Sequence, residues 1–376
     1  MGRKLRKVLG LIYFFIYDRA VQVFTPLRDQ AVFLTEAHGR LNGNLKAVCD
    51  AVCTERRCIV HVKADRRERL QFREFVSVCR DMASSKYILL DDYYGLTSAI
   101  KVRKGQKLIQ LWHGAGAYKK FGYSRVSSGN IGRVHSGYRK YTGAAVTADS
   151  IRWCFAEAFG IDEDKVAAVG NPKTDIFFDA ERTAEAKERV YSAYPQLGGK
   201  KVVLFAPTYM GNRVEDAYYD FDAMHPSEIA KDLGDKYAIA LRWHPALSEN
   251  IKKGVVLPPE EPGLTDVSDY PEMNELMAAA DILVTDYSSV IFDWYLTGRP
   301  VVYFLCDHGR YEDERGTYFP LDTYVYGAVA EDYRSLIRAI GSGDVQEKKR
   351  RAFGDRFMSA CDGNSTRKTV DWIFGR

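Results

Sequence analysis

Short apolar runs recur along the chain, each breaking abruptly into polar residues, with stretches of helical period between them. Ile88-Leu89-Leu90 gives way to Asp91-Asp92-Tyr93, and Leu108-Ile109-Gln110-Leu111 to Trp112-His113-Gly114. Val202-Val203-Leu204-Phe205 leads to Ala206-Pro207-Thr208, and Ile239-Ala240-Leu241 to Arg242-Trp243-His244-Pro245. Two further runs, Ala144–Val146 and Val166–Val169, lead to Asp149-Ser150 and Gly170-Asn171-Pro172. This alternation predicts an α/β fold of buried parallel strands with helices on both sheet faces. Ligands gather outside the carboxyl ends of such strands, so the polar residues after each run are the candidates for chemistry. The plainest unit is the strand Ile282–Thr285, the turn Asp286-Tyr287-Ser288-Ser289, the apolar helix Val290–Leu296, the glycine stop at Gly298 and the strand Val301–Phe304. Asp286 or a serine can cap that helix, and the amides of its first turn suit a phosphate.

The charged helical stretch Arg182–Lys200, ending in Tyr194-Pro195-Gln196-Leu197-Gly198-Gly199-Lys200, reads as a domain boundary. The expected organisation is one Rossmann-like domain over 31–190 and a second over 200–344. C-terminal helices over 345–376, around Val345–Phe357 and near Val370–Phe374, are free to pack back across them. Two such domains facing across a cleft form the GT-B architecture of enzymes that use nucleotide-activated donors, a fold-level analogy. Residues 1–30 stand apart. Arg3, Lys4, Arg6 and Lys7 precede the apolar run Val8–Tyr17, which stops at Asp18-Arg19. A spanning helix needs about 20 apolar residues, so this run does not cross a bilayer, and no small-residue cleavage site follows it. Cations for anionic lipid and aromatics for the headgroup boundary fit a short interfacial anchor on the cytoplasmic face of the plasma membrane. A first helix packed on its own domain is the plainer alternative.

A length of 376 residues suits two domains, and 46% hydrophobic with 28% charged residues describe a globular chain. The net charge of +4 equals the four N-terminal cations, which leaves the remainder balanced. A nucleic-acid partner is therefore not expected, because it needs a concentrated basic face. Seven cysteines, an odd number with no secretion signal ahead of them, predict reduced thiols. Cys49, Cys53 and Cys58 with His61 could be drawn as a zinc site. No CxxC pair exists, however, and Cys49 and Cys53 keep the spacing of an apolar helix face, so no metal site is expected.

Of the seven histidines, His61 lies in a strand-like run, His225 and His308 in loops, and His135 in a glycine- and serine-rich segment. His113 and His244 each follow a strand, one in each half, so a closed cleft would bring them face to face. Gly114-Ala115-Gly116 leaves room for a substrate, and a histidine there suits taking a proton from a hydroxyl. Arg242 and Pro245 flank His244 and would hold imidazole and guanidinium near one anion, the positioned charge that phosphoryl transfer relies on. A GxxxxGK[ST] loop, an acidic metal cluster and a GxSxG elbow are all absent, which disfavours kinases, ATPases and serine hydrolases.

Several of these segments, taken in order, resemble one family. They are Gln110-Leu111-Trp112-His113-Gly114 with Lys119-Lys120-Phe121-Gly122, Gly170-Asn171-Pro172-Lys173-Thr174-Asp175, Ala206-Pro207-Thr208 and Arg242-Trp243-His244-Pro245. Thr285-Asp286-Tyr287-Ser288-Ser289 with Phe292-Asp293, Arg299-Pro300, and Asp307 with Tyr311, Arg315-Gly316 and Tyr318 complete the series. Together they resemble the CDP-glycerol glycerophosphotransferases of wall teichoic acid synthesis, with weaker flanks at Phe33–Leu45 and Asp362-Gly363-Asn364-Ser365. The resemblance implies a GT-B-like peripheral membrane enzyme of a Gram-positive bacterium. Such an enzyme moves glycerol phosphate from CDP-glycerol to a hydroxyl of an undecaprenyl-diphosphate-linked disaccharide and releases CMP.

On this chain the resemblance makes His113 the general base and gives His244, with Arg242, the donor diphosphate and the leaving group. Ser288 and Ser289 would hold phosphate, Asp286, Thr208 and Arg315 would make donor contacts, and Gly114, Lys119 and Lys120 would lie on the acceptor side. No cofactor is called for, and assistance by Mg2+ is left open. Two departures stand out: Ala115-Gly116-Ala117-Tyr118 replaces the Thr-Pro-Leu common after His-Gly, and bulky Trp243 sits between Arg242 and His244. The modest length favours a primase over a glycerol or ribitol phosphate polymerase. A sugar-nucleotide glycosyltransferase of the same architecture and a non-catalytic membrane scaffold are the competing readings.

Overall fold

A computed structural model describes residues 3–36, 39–63, 70–125, 136–211, 216–258, 261–305 and 316–375, with the side chains of 3–9 and 11 left aside. In chain order the first elements are α1 (Arg3–Phe24), β1 (Arg28–Thr35), α2 (Gly43–Val52), β2 (Arg57–Val62), α3 (Phe72–Ser84), β3 (Ser85–Leu90), β4 (Lys107–Gln110), β5 (Gly143–Val146), α4 (Arg152–Phe159) and β6 (Val166–Ala168). There follow α5 (Ala180–Ala193), β7 (Lys201–Phe205), α6 (Pro226–Leu233), β8 (Tyr237–Leu241), α7 (Pro245–Lys252), β9 (Leu264–Asp266), α8 (Met273–Ala279) and β10 (Ile282–Thr285). The last are α9 (Val290–Tyr295), β11 (Val301–Phe304), β12 (Ala328–Ala330), α10 (Tyr333–Ser342), α11 (Glu347–Phe357) and α12 (Ser365–Phe374).

The chain divides into two compact units, the first holding 1–175, 314–318 and 357–376, the second 176–313 and 319–356. Each is built on one six-stranded parallel sheet. The first sheet runs β2-β1-β3-β4-β5-β6 and reverses direction of growth between β1 and β3. The second runs β12-β11-β10-β7-β8-β9, the 3-2-1-4-5-6 order of a nucleotide-binding doubly wound sheet, with its reversal between β7 and β10. Strands β5, β10 and β11 are buried at every residue, which is why they read as unbroken apolar runs rather than alternating ones. In the second unit Phe205, Leu241, Val284 and Phe304 pack against Ile229 and Leu233 of α6 and Leu336 and Ile340 of α10.

The second unit begins at Ile176, ahead of the charged stretch at Arg182–Lys200. That stretch forms α5, started by the Asp179 carboxylate on the Arg182 amide, and it packs on α8, with Arg189 bonded to Glu275. The C-terminal helix α12 belongs to the first unit and is longer than the single turn near Val370–Phe374 that the sequence suggests. Its start is capped from 190 residues away: the Asp175 carboxylate accepts from the amides of Ser365 (2.9 Å) and Thr366 (2.8 Å). Gly170 has φ +87°, and a Cβ there would lie 2.3 Å from Ser365 Oγ. A Cβ on Gly143 would meet the Trp372 ring at 2.8 Å. Both glycines are thus required by the closeness of this C-terminal segment.

Helix α1 packs one face and leaves another open. Phe14 and Asp18 are fully buried. The Phe14 ring meets Phe75 of α3 edge-on at 6.0 Å, and the Asp18 carboxylate accepts from the Lys101 amide (3.1 Å) and Gln22 Nε2 (3.0 Å). Ile12, Tyr13, Phe15 and Ile16 are exposed, Ile16 to 61%, and the Arg19 guanidinium sits 4.4 Å over the Phe15 ring. No helix among the described residues is long and apolar enough to cross a membrane.

Cys49, Cys79, Cys154 and Cys361 are thiols, as expected, whereas Cys53 and Cys58 depart from the expectation and are joined by a disulfide. The cause is local. Cys53 follows α2 as its C-terminal cap, Cys58 is the second residue of β2 five positions later, and the turn sets their Cα atoms 5.5 Å apart, within ordinary disulfide reach.

Candidate active site

His113 stands in the turn after β4, at the carboxyl edge of the first sheet. The turn is strained: Trp112 has φ +55°, a left-handed conformation that a bulky residue adopts only when its surroundings impose it. The imposing groups can be named. Gln110 Oε1 accepts from the Trp112 amide (2.9 Å), while Asn44 Nδ2, from α2, donates to the carbonyls of Leu111 (3.2 Å) and Trp112 (2.8 Å). Asn44 Oδ1 in turn accepts from the Lys173 amide (3.0 Å). The Trp112 ring lies between Phe121 (centroids 4.6 Å) and His113 itself (4.5 Å), both nearly parallel to it. The imidazole is therefore held by its neighbour's ring as well as by the backbone.

The His113 side chain is half-exposed, with Nδ1 3.2 Å from the Asp91 carbonyl and 3.9 Å from an Asp92 carboxylate oxygen. A carbonyl oxygen only accepts, so Nδ1 carries the hydrogen of the neutral ring and the basic lone pair is on Nε2. Gly114 has no positive φ, and a Cβ there would meet nothing closer than Trp112 Cδ1 at 4.0 Å. Among the described residues nothing demands glycine at that position. The next turn is tied down by the Gly116 amide donating to Thr147 Oγ1 (3.1 Å). Lys119 pairs with Thr317 in an antiparallel bridge, and the Lys120 amide donates to the Gly316 carbonyl (2.9 Å), so the backbone of this basic pair is fixed within the first unit.

In the second unit His244 follows β8 and caps α7, with Pro245 at the first helical position. Its Nδ1 accepts from the Ala246 amide at 3.2 Å, which puts the hydrogen of the neutral ring on Nε2. The Tyr209 ring lies 4.8 Å from the imidazole, centroid to centroid. Arg242 has another task. Its Nη1 donates to the carbonyls of Val267 (3.0 Å) and Tyr270 (2.8 Å) and also to that of Ser268, shaping the turn after β9. Burial pulls this guanidinium below its ordinary pKa, although desolvation on that scale leaves an arginine charged. Trp243, the bulky residue between Arg242 and His244, is buried edge-on against Phe221 (5.2 Å) and beside Tyr219 (6.0 Å).

At the reversal point between β7 and β10 the Asp286 carboxylate accepts from the Thr208 amide with both oxygens (2.8 and 3.0 Å), and Thr285 Oγ1 donates to the Ala206 carbonyl (2.7 Å). Asp286 and Thr208 are thus brought together. Ser289 precedes α9 but its side chain makes no capping hydrogen bond, and Ser288 Oγ is 3.4 Å from the Val290 amide. Arg315, Asp307, Tyr311, His135 and His308 lie outside the described residues. Sequence reasoning missed Asn44 and Tyr209, and marked Asp92 only as a polar residue at a strand end. Asn44 lies in the flank Phe33–Leu45, yet only the fold reveals its bonds to residues 67 positions away and more.

The model of the CDP-Glycerol:Poly(glycerophosphate) glycerophosphotransferase family matches residues 18–375. A teichoic acid poly(ribitol-phosphate) polymerase of Bacillus spizizenii is 33% identical over 378 residues, covering 99% of this chain but 60% of the polymerase. A teichoic acid ribitol-phosphate primase of the same organism is 33% identical over 299 residues, 78% of this chain and 75% of the primase. Among solved structures, the wall teichoic acid polymerase TagF superposes with a TM-score of 0.76 at 21% identity, covering 99% of this chain and 96% of that one, a likeness of fold. With this match over nearly its whole length, the chain belongs to the CDP-glycerol:poly(glycerophosphate) glycerophosphotransferase family.

Proposed function

We propose that this protein transfers glycerol phosphate from CDP-glycerol to a hydroxyl of an undecaprenyl-diphosphate-linked disaccharide, as a primase, with release of CMP. The observation that carries the reading is the opposite hydrogen bonding of two imidazoles: His113 offers a basic Nε2 and His244 an Nε2–H donor. His113 Nε2 takes the proton of the acceptor hydroxyl as its oxygen attacks the phosphorus that bears glycerol. The bond from that phosphorus to the bridging oxygen breaks. CMP departs with the electron pair as a phosphate monoester anion. Within the second unit, the His244 Nε2–H is the hydrogen-bond donor for the donor diphosphate. The cytidine diphosphate binds at the reversal between β7 and β10, where the Asp286–Thr208 pair and Ser288-Ser289 stand, the usual ligand position in a sheet of this strand order. Arg242 serves this site by holding the neighbouring turn. On the acceptor side, the space over Gly114 and the basic pair Lys119-Lys120 fit a diphosphate-linked glycan.

The exposed face of α1 lies on the anionic cytoplasmic surface of the plasma membrane, with Ile12, Tyr13, Phe15 and Ile16 in the headgroup boundary. Removing residues 1–17 is expected to weaken sedimentation with anionic liposomes; equal sedimentation would refute the anchor.

A second reading, transfer of ribitol phosphate, is favoured by the 33% identity to the ribitol-phosphate polymerase across 99% of the chain. Incubation with CDP-glycerol, CDP-ribitol and sugar nucleotides, each with the lipid-linked disaccharide, followed by mass analysis of the lipid, decides between them. One added glycerol phosphate with CMP supports the primase; ribitol phosphate addition supports the second reading; long glycerol phosphate products overturn the primase role, and sugar transfer refutes both.

A further inference from the structure

Away from both turns, the sulfurs of Cys49, Cys53 and Cys58 lie within 4.8 Å of one another. Cys49 and Cys53 are four residues apart on α2 and its cap, with their sulfurs 3.1 Å apart, and Cys58 is the second residue of β2. Cys49 is buried in the first unit's core beside Val48 and Val52, Cys58 packs against the same core, and Cys53 is exposed. The triangle has an apolar floor and one open side. Two of its corners close the turn as a disulfide. A third sulfur in contact adds nothing to that closure. It does complete a ligand set.

We propose that, once the disulfide is reduced, Cys49, Cys53 and Cys58 bind one soft divalent metal ion of the zinc class as three thiolates. Thiolate ligands select such ions over magnesium or calcium, and three protein ligands with a water in the fourth position is an established zinc arrangement. The exposed Cys53 side is where that water sits. His61, the companion suggested by the spacing, is not in the group, because its ring nitrogens do not lie within 4.8 Å of all three sulfurs; its Nε2 is instead 3.0 Å from an Asp81 carboxylate oxygen. Reduction by a dithiol delivers two electrons and two protons to the Cys53 and Cys58 sulfurs as the dithiol closes into its own disulfide. Metal binding then releases three protons, one from each thiol, so uptake weakens as pH falls. Oxidation and metal binding exclude one another, since both use Cys53 and Cys58. The site shares no residue with the transfer reaction and stands whether or not that reading holds.

The test uses the full chain, reduced with dithiothreitol, freed of reductant without air, and offered one equivalent of Zn2+. Expected are one bound zinc by native mass spectrometry, protection of Cys53 and Cys58 from iodoacetamide in peptide maps, and loss of protection on adding EDTA. The oxidised chain is expected to take up none, and Cys53→Ser to bind more than about tenfold more weakly. No zinc on the reduced chain, equal uptake by the oxidised chain, or unchanged uptake by Cys53→Ser overturns the proposal. If the variant fails to fold, the alkylation pattern of the unaltered chain decides.

Discussion

The turns that carry His113 and His244 hold the same side chain after the same kind of strand, yet they are built in opposite ways. The first is strained, with a left-handed tryptophan braced by Gln110 and Asn44 and the imidazole pressed against an indole. The second is an ordinary helix start, where the imidazole accepts the amide of Ala246 as any N-cap side chain does. A carbonyl facing Nδ1 in one case and an amide facing it in the other decide which ring nitrogen is basic. The difference teaches that residue type alone does not set a histidine's role. The backbone group across from one nitrogen sets what the other can do.

The largest test of this contrast is His113→Ala, which is expected to lower CMP release by about 10²–10⁴-fold while leaving donor affinity nearly intact, read by single-turnover kinetics and calorimetry. Unchanged turnover would break the comparison outright.

Next comes His244. Alanine there removes both the donor and the cap, so turnover should fall by about 10²–10³-fold, donor binding should weaken, and stability should drop by about 1 kcal/mol. His244→Asp restores an acceptor for the Ala246 amide but places a carboxylate where a donor is needed. Thermal unfolding should return toward that of the unaltered protein while CMP release stays low; recovery of both would dissolve the distinction between cap and donor.

Asn44→Ala is expected to cost about 1–3 kcal/mol, because two carbonyls and the Lys173 amide lose a buried partner. Its kcat should fall with donor KM unchanged, and Asn44→Asp, which recovers only the acceptor, should remain slow. A stability loss without any change in kcat would make Asn44 merely structural. Smallest is Asp18, outside both turns. Burial raises its pKa above the usual 3.8, the bonds from Lys101 and Gln22 offsetting this only in part, so ionising it costs folding free energy. Stability from this group is greatest below the unfolded value and is lost as pH rises through the raised folded one. Asp18→Asn should flatten that decline in thermal unfolding measured against pH and leave both histidine readouts untouched.

Much of the site was open to view in the linear chain. Strand ends, the helix after Asp286, and the placement of His113 and His244 after strands follow from apolar runs and turn chemistry that act over a few residues. What needed the fold were partners that arrive from elsewhere: Asn44 on the Trp112 turn, Asp175 at the head of α12, and a disulfide with a third sulfur against it. Arg242 makes the same point, since its spacing suits an anion but its Nη1 is spent on three carbonyls of another turn. The sequence by itself determined which segments are buried strands and which residues stand at their ends, because burial and backbone propensity are local. Only the tertiary structure decided what each of those residues does, because hydrogen-bond direction depends on groups that folding brings from distant parts of the chain.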